Sequence, residues 1–156
     1  MTISRNVGKI AGCLVLAASI LATALPIDMA SAADKNELLI ANAKHGRLKE
    51  VKRLIKDGAS VDAKDKKGKT ALMKSAARGY TKVVRFLLDS GANPDARDKA
   101  RKTALMKAAA RGQVKVVKLL LARGADKNLK DYRDETAEMK AYLRGYKDVV
   151  LILKDN

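Results

Sequence analysis

The sequence predicts an all-α repeat solenoid, in which short helix pairs stack side by side. Two nearly identical segments support this: "TALMKSAARG" begins at Thr70 and "TALMKAAARG" begins at Thr103, 33 positions later. A fixed period of this size indicates a stacked array whose units bury their apolar faces against their neighbours. Hydrophobic residues make up 47% of the chain and aromatic residues only 3%, so the core must be aliphatic, which suits packed helices.

The first 33 residues are predicted to be a secretory signal peptide. Two basic residues precede the uncharged run "IAGCLVLAASILATAL" at 10–25, and small residues follow it, which is the order of regions in such a signal. We expect cleavage between Ala33 and Asp34, and cleavage after Ala32 is an acceptable alternative. The rival interpretation is a membrane anchor, but the uncharged run has 16 residues, whereas a span needs about 20.

Cys13 is the only cysteine of the chain. "IAGC" resembles a lipoprotein processing site, but here the apolar run follows the cysteine instead of preceding it, so lipidation is not expected. Cleavage of the signal would leave a chain without cysteine, which excludes disulfides and thiolate chemistry. The predicted mature protein is periplasmic or secreted and has no transmembrane span.

Each repeat is expected to form two short helices. Thr70 is placed to cap the first helix through its hydroxyl, and Gly79 is placed to end that helix in the left-handed conformation. The segment "TKVVRFLLDSGA" then has apolar residues at helical spacing and closes at Gly91. A polar linker that can form a hairpin-like turn leads to the next unit. The predicted organisation is a signal peptide at 1–33, a half-repeat at 34–65, repeats at 66–98 and 99–131, and a capping repeat at 132–156.

From about Asp34 to the C-terminus the chain resembles the ankyrin repeat. The clearest copies are "GKTALMKSAARGYTKVVRFLLDSGANPDARD" and "RKTALMKAAARGQVKVVKLLLARGADKNLKD", which match the family's finger, first helix opening with Thr-Pro-Leu-His, and second helix ending in Gly-Ala. The resemblance implies that fingers and first helices line a concave surface and that second helices form a convex back. It also implies a protein–protein interaction module.

Several positions depart from the family pattern. Met73, Met106 and Met139 replace its histidine, and we expect them to pack between the first helices. Glu138 replaces a core leucine, which predicts a last unit that caps the stack with a polar outer face. Arg101 stands where the finger usually has glycine.

The sequence contains no pattern typical of catalysis, so we expect neither an enzyme nor a cofactor nor a metal site. His45, the only histidine, is expected to be an exposed residue at a helix end. Asp65, Asp98 and Asp131 recur at one place in each finger, which favours a turn or capping role over a row of reactive carboxylates.

The formal net charge of +16 favours polyanionic or acidic partners. Residues 64–78 and 97–111 each hold six bases and one acid, whereas residues 79–96 hold two of each, so basic charge is concentrated in the fingers and first helices. In each first helix a lysine and an arginine lie four residues apart, a spacing at which like charges repel.

This distribution predicts a monomer whose basic concave surface binds an acidic protein partner. Two alternatives stay open: binding to an anionic envelope polymer or to lipid headgroups, and a solvated basic face that was copied with the repeats. Nucleic acid is disfavoured because aromatic stacking residues are scarce. The residues predicted to bind the partner are Lys66, Lys67, Lys69, Lys74, Arg78, Arg97, Lys99, Lys102, Lys107, Arg111, Lys130, Arg133, Lys140 and Arg144.

Overall fold

Helix pairs recur along the part of the chain that the structure describes. The computed structural model describes residues 27–155, which form eight helices and no strand. In chain order the helices are α1 (Ile27–Lys44), α2 (Leu48–Lys56), α3 (Ala71–Arg78), α4 (Thr81–Asp89), α5 (Ala104–Ala109), α6 (Val114–Ala122), α7 (Ala137–Leu143) and α8 (Lys147–Asp155). This arrangement confirms the predicted all-α repeat class.

The predicted signal peptide lies mostly outside the described residues. Helix α1 begins at Ile27 and continues through the predicted cleavage site, where Ala33 and Asp34 are both exposed. Export and cleavage therefore stay predictions. Among the described helices, none combines the length and the hydropathy that crossing a membrane requires.

The helices from α2 onward pack in two rows. The inner helices α3, α5 and α7 contact one another in that order, and the outer helices α2, α4, α6 and α8 form a second row behind them. Removal of aliphatic side chains from water drives this stacking, because each short helix has too little apolar surface to fold alone. The largest fully buried side chains of the inner and outer helices are Leu72, Met73, Leu87, Leu105, Met106, Leu120 and Leu153.

Threonines start the inner helices, as predicted. The Thr70 hydroxyl accepts a hydrogen bond from the backbone N–H of Met73 at 3.3 Å, and Thr103 and Thr136 cap α5 and α7 over the same distance. Gly79 ends α3 with φ of 77°, and the Gln113 side chain of the next unit lies where a Cβ would be. The left-handed backbone favours glycine there, whereas the flexible end of Gln113 could move aside for a Cβ.

Each finger is a hairpin-like turn, and neighbouring fingers are joined by backbone bonds. The Asp98 N–H donates to the Lys102 carbonyl at 3.1 Å within one finger, and the Lys99 N–H donates to the Lys67 carbonyl of the preceding finger at 3.2 Å. Arg101 has φ of 58° at the position where the family usually has glycine. The finger thus keeps its left-handed turn without the residue that adopts it at the lowest cost.

The last unit differs from the prediction. Met73 and Met106 are 1% exposed, as expected of packing between inner helices. Met139 is 49% exposed, because within residues 27–155 no further helix pair packs against α7 at the end of the stack. Glu138 is partly exposed and lies 3.9 Å from Lys154, as a polar cap requires. The same unit also exposes Tyr142, Leu143 and Leu151.

Candidate functional site

A groove runs along the inner helices of the stack. It has a volume of about 480 Å³. Its lining consists of residues on or directly after α3, α5 and α7, finger residues close to those helices, and Lys44 at the end of α1. Ten lining residues are basic and one, Glu135, is acidic. The apolar part of the lining comes from Met73, Ala77, Met106, Ala110 and Leu143.

Each inner helix contributes a lysine that is ion-paired to the aspartate of its own finger. The distances from Nζ to Oδ2 are 2.8 Å for Lys74–Asp65, 2.6 Å for Lys107–Asp98 and 2.6 Å for Lys140–Asp131. The Lys140 ammonium also lies 2.5 Å from Glu135 Oε2. These lysines were predicted to bind a partner, but in the structure they hold the finger against the inner helix. The aspartates also offset the repulsion that we expected between the lysine and the arginine of each inner helix.

The second oxygen of each aspartate fixes the finger's backbone. Asp98 Oδ1 accepts hydrogen bonds from the N–H groups of Ala100 and Lys102, both at 2.9 Å, and Asp65 and Asp131 make the same pair of bonds. The predicted turn role of these aspartates is therefore confirmed. These bonds lock the conformation of each finger, and the residue four positions after the aspartate lines the groove: Lys69, Lys102 or Glu135.

The pKa values indicate how charge is distributed here. Burial raises the pKa of Asp98, but hydrogen bonds from Lys107 and from two backbone N–H groups outweigh burial and hold the pKa below 3.8. Burial lowers the pKa of Lys107, Asp98 raises it, and the nearby ammonium groups of Lys69 and Lys102 lower it further, to a value below 10.5 overall. Positive charge is thus close enough in the groove for neighbouring units to repel one another.

Other bases of the groove have no counter-charge. Seven bases that line the groove make no side-chain hydrogen bond and no ion pair among the described residues: Lys44, Lys69, Arg78, Lys102, Arg111, Arg133 and Arg144. Arg78, Arg111 and Arg144 occupy equivalent positions near the C-terminal ends of successive inner helices, where a cation is favoured by the helix dipole. Their guanidinium groups are free to bind carboxylates in a bidentate manner.

The remaining predicted residues fall into two groups. Arg133 lines the groove at its last unit. Five others do not line it: the finger residues Lys66, Lys67, Lys99 and Lys130 are exposed elsewhere, and Arg97 is partly buried with its carbonyl accepting a bond from Lys64 at 3.3 Å. The structure therefore brings together nine of the fourteen predicted residues: Lys69, Lys74, Arg78, Lys102, Lys107, Arg111, Arg133, Lys140 and Arg144.

The third unit of the groove has a different character. Glu135 occupies the position that Lys69 and Lys102 hold in the preceding units, and residues 130–144 contain four bases and four acids. Leu143 stands where the preceding units have alanine, and it is 67% exposed. The groove thus keeps the unpaired Arg133 and Arg144 at the third unit, but it also has an acid and an exposed leucine there.

Two features of the groove were missed by sequence reasoning. Each ion-paired lysine follows its aspartate by nine residues in all three units, and this recurrence is the signal that could have revealed the pairs. The side chain of Lys44 also joins the groove, although it belongs to the less regular half-repeat at 34–65 and no repeated motif marks it.

The described residues offer little for bond-making chemistry. Within residues 27–155, no three His, Cys, Asp or Glu side chains come close enough to hold a metal ion. His45 is exposed just after α1, as predicted for a residue at a helix end. The arrangement that the groove does provide is a row of cations over an apolar lining, which suits recognition of an anionic surface.

Comparisons with known families agree with this architecture. A family model described as ankyrin repeats (3 copies) matches residues 13–98, and a second, described as ankyrin repeats (many copies), matches residues 76–121. No curated protein matches the chain significantly. The first model covers more than half of the chain and includes α1 to α4, and the second includes α4 and α5. The chain belongs to the ankyrin repeat family.

Proposed function

We propose that this protein is an exported, non-catalytic interaction module whose groove binds an acidic segment of a protein partner. Membership of the ankyrin repeat family supports the broader statement that it binds proteins. Stacked repeats present extended concave surfaces, which are the surfaces that such proteins use for binding. The acidic nature of the partner and the export of the protein are the parts of this proposal that go further.

One observation carries the choice of an acidic partner: the seven unpaired bases of the groove. These residues lie together along one surface while the lysines between them are neutralised: Lys44, Lys69, Arg78, Lys102, Arg111, Arg133 and Arg144. Unpaired like charges held close together repel each other, and an acidic ligand removes that cost while gaining charge-assisted hydrogen bonds. An acidic protein segment satisfies both requirements.

Export is proposed from the order of basic, apolar and small residues in positions 1–33. If the protein is exported, its partner is in the periplasm or outside the cell. Edman sequencing or intact-mass measurement of protein recovered from an envelope fraction tests this step. A mature chain that begins at Asp34 or Ala33 supports it, and recovery of the intact N-terminus contradicts it.

A second candidate function is attachment to an anionic envelope polymer or lipid surface. It is favoured by the bases that are exposed outside the groove: the finger residues Lys66, Lys67 and Lys99, and the outer-helix residues Lys82, Arg85, Lys115 and Lys118. A binder of this kind relies on total charge and depends steeply on salt.

Three sets of charge reversals with the same change in net charge separate the two functions. The groove set is Arg78→Glu, Lys102→Glu and Arg111→Glu; the finger set is Lys66→Glu, Lys67→Glu and Lys99→Glu; the outer set is Arg85→Glu, Lys115→Glu and Lys118→Glu. Binding is measured to a glutamate-rich peptide by fluorescence anisotropy and to vesicles of anionic phospholipid by co-sedimentation, at several salt concentrations. Circular dichroism checks that each variant keeps its helices.

Groove binding of an acidic segment predicts that only the groove set weakens peptide binding, by at least about tenfold, because charged contacts with the ligand are lost only there. Attachment to an anionic surface predicts that all three sets reduce vesicle binding to similar extents. If all folded variants bind both probes as the wild type does, the basic groove is a solvated face and both functions fail.

A further inference from the structure

We propose that the groove recognises a two-part ligand: an extended protein segment whose acidic side chains bind the first two units and whose large apolar side chain contacts Leu143 at the third. This inference rests on the proposed function and specifies the partner's chemistry. It goes beyond acidity, because the three units of the groove are not equivalent.

The length of the groove suits an extended ligand. Packed helices lie about 8–10 Å apart, so three inner helices span roughly 20 Å. An extended chain advances about 3.3 Å per residue, so about six residues reach along all three helices.

The spacing of the bases sets the spacing of the acids. Arg78 and Arg111 sit at equivalent positions of adjacent units, and so do Lys69 and Lys102. An extended chain advances about 3.3 Å per residue, so the distance between neighbouring units corresponds to about three residues. The ligand expected here carries acidic residues at roughly every third position over the first two units.

The third unit calls for a different side chain. Glu135 replaces the finger-base lysine and lies 2.5 Å from the ammonium of Lys140, which also binds Asp131. An acidic side chain at the position equivalent to those facing Lys69 and Lys102 would meet Glu135 there. Leu143 instead offers an apolar surface that is 67% exposed and continuous with the groove, and the neighbouring Tyr142 is 74% exposed. Covering this leucine with another apolar side chain removes both from water.

The test uses synthetic peptides as probes. In the parent peptide, of about ten residues, glutamate recurs at every third position between glycine, serine and proline, which prevents helix formation. Two derivatives carry leucine at the N-terminal or the C-terminal end, and two matched derivatives carry alanine there. Because the groove has one apolar end, one of the two leucine peptides should bind about tenfold more tightly than its alanine counterpart.

Two matched protein variants locate the contact. Leu143→Ala should abolish the advantage of the leucine peptide over its alanine counterpart. Leu151→Ala removes an exposed leucine from the outer helix α8, where it is 58% exposed, and should leave the advantage intact. Both side chains are largely in solvent, so neither change should unfold the protein.

The outcomes distinguish the two levels of the proposal. If the wild-type protein binds no acidic peptide, the proposed function itself fails. If acidic peptides bind but leucine at either end gives the same affinity as alanine, or if the leucine advantage survives in Leu143→Ala, the two-part ligand is wrong while the acidic groove stands.

Discussion

Replacing the ion-paired lysines by methionine should destabilise the protein in an order set by burial. The side chains of Lys74 and Asp65 are each 24% exposed, those of Lys107 and Asp98 are 15% and 4% exposed, and those of Lys140 and Asp131 are 8% and 1% exposed. Removing one partner from a buried pair costs about 3–5 kcal/mol, whereas exposed pairs contribute about 0–1 kcal/mol.

The expected losses in the free energy of unfolding follow from these exposures. Lys74→Met should cost about 1 kcal/mol or less, because water can replace the ammonium at Asp65. Lys107→Met should cost about 2–3 kcal/mol, since Asp98 keeps two backbone hydrogen bonds on its other oxygen. Lys140→Met should cost about 3–5 kcal/mol, because Asp131 and Glu135 both lose their cation.

Urea unfolding followed by far-ultraviolet circular dichroism measures these losses. An unchanged slope of the unfolding free energy against urea concentration checks that the variants unfold in the same manner. Lys102→Met is the matched control: this groove lysine is unpaired, so its removal should be neutral or slightly stabilising. Equal costs for the three paired lysines, or a cost at Lys102 as large as at Lys107, would refute the reasoning.

The ion pair between Lys140 and Asp131 should make the stability of the protein depend on pH. Burial raises the pKa of Asp131, but bonds from Lys140 and two backbone N–H groups hold it below its ordinary value of 3.8. Burial lowers the pKa of Lys140, but Asp131 and Glu135 raise it above 10.5. The pair therefore stabilises the protein fully between pH 3.8 and pH 10.5, the ordinary pKa values of the two groups. This stabilisation is lost as pH falls through the lowered pKa of Asp131 or rises through the raised pKa of Lys140. The stability difference between wild type and Lys140→Met should narrow at both extremes.

Three further changes test other parts of the structure. Asp134→Gly should raise the melting temperature by about 2–4 °C in a thermal scan, because Asp134 has φ of 57° and glycine relieves that strain. Gly79→Ala should cost about 1–2 kcal/mol or more in urea unfolding, since φ is 77° and a neighbouring side chain fills the space; an unchanged midpoint would contradict this. Mild peroxide should oxidise Met139 before Met73 and Met106, as followed by mass spectrometry. The melting temperature should fall only once Met73 and Met106 react.

The repeat architecture was predictable because its determinants are local. Thr70 marks the start of a helix through its hydroxyl and Gly79 marks its end through its left-handed backbone. The fixed period shows that the same helix recurs in later units. The exposed end of the stack was less predictable. Met139 occupies the same position as the buried Met106, and only the absence of a covering helix pair within the described residues makes it exposed.

The groove was predicted only in outline, because charge counts do not show which bases are neutralised. Lys107 and Arg111 look alike in sequence, yet a finger that folds back onto its helix pairs the lysine with Asp98 and leaves the arginine unpaired. Likewise Lys67 and Lys69 are two residues apart in one finger, but only Lys69 lines the groove. These distinctions depend on tertiary contacts between the finger and the inner helix.

Site-specific photo-cross-linking in intact cells tests the central claim, that the groove and not the total charge selects the partner. A photoreactive amino acid is placed at Ala110, which lines the groove, and in a parallel strain at Lys118, which is exposed on the outer helix α6. We expect one protein with an acidic segment to be captured from Ala110 alone, and Arg78→Glu with Arg111→Glu to abolish its capture. Equal capture from both positions, or capture that persists in the double variant, would contradict it.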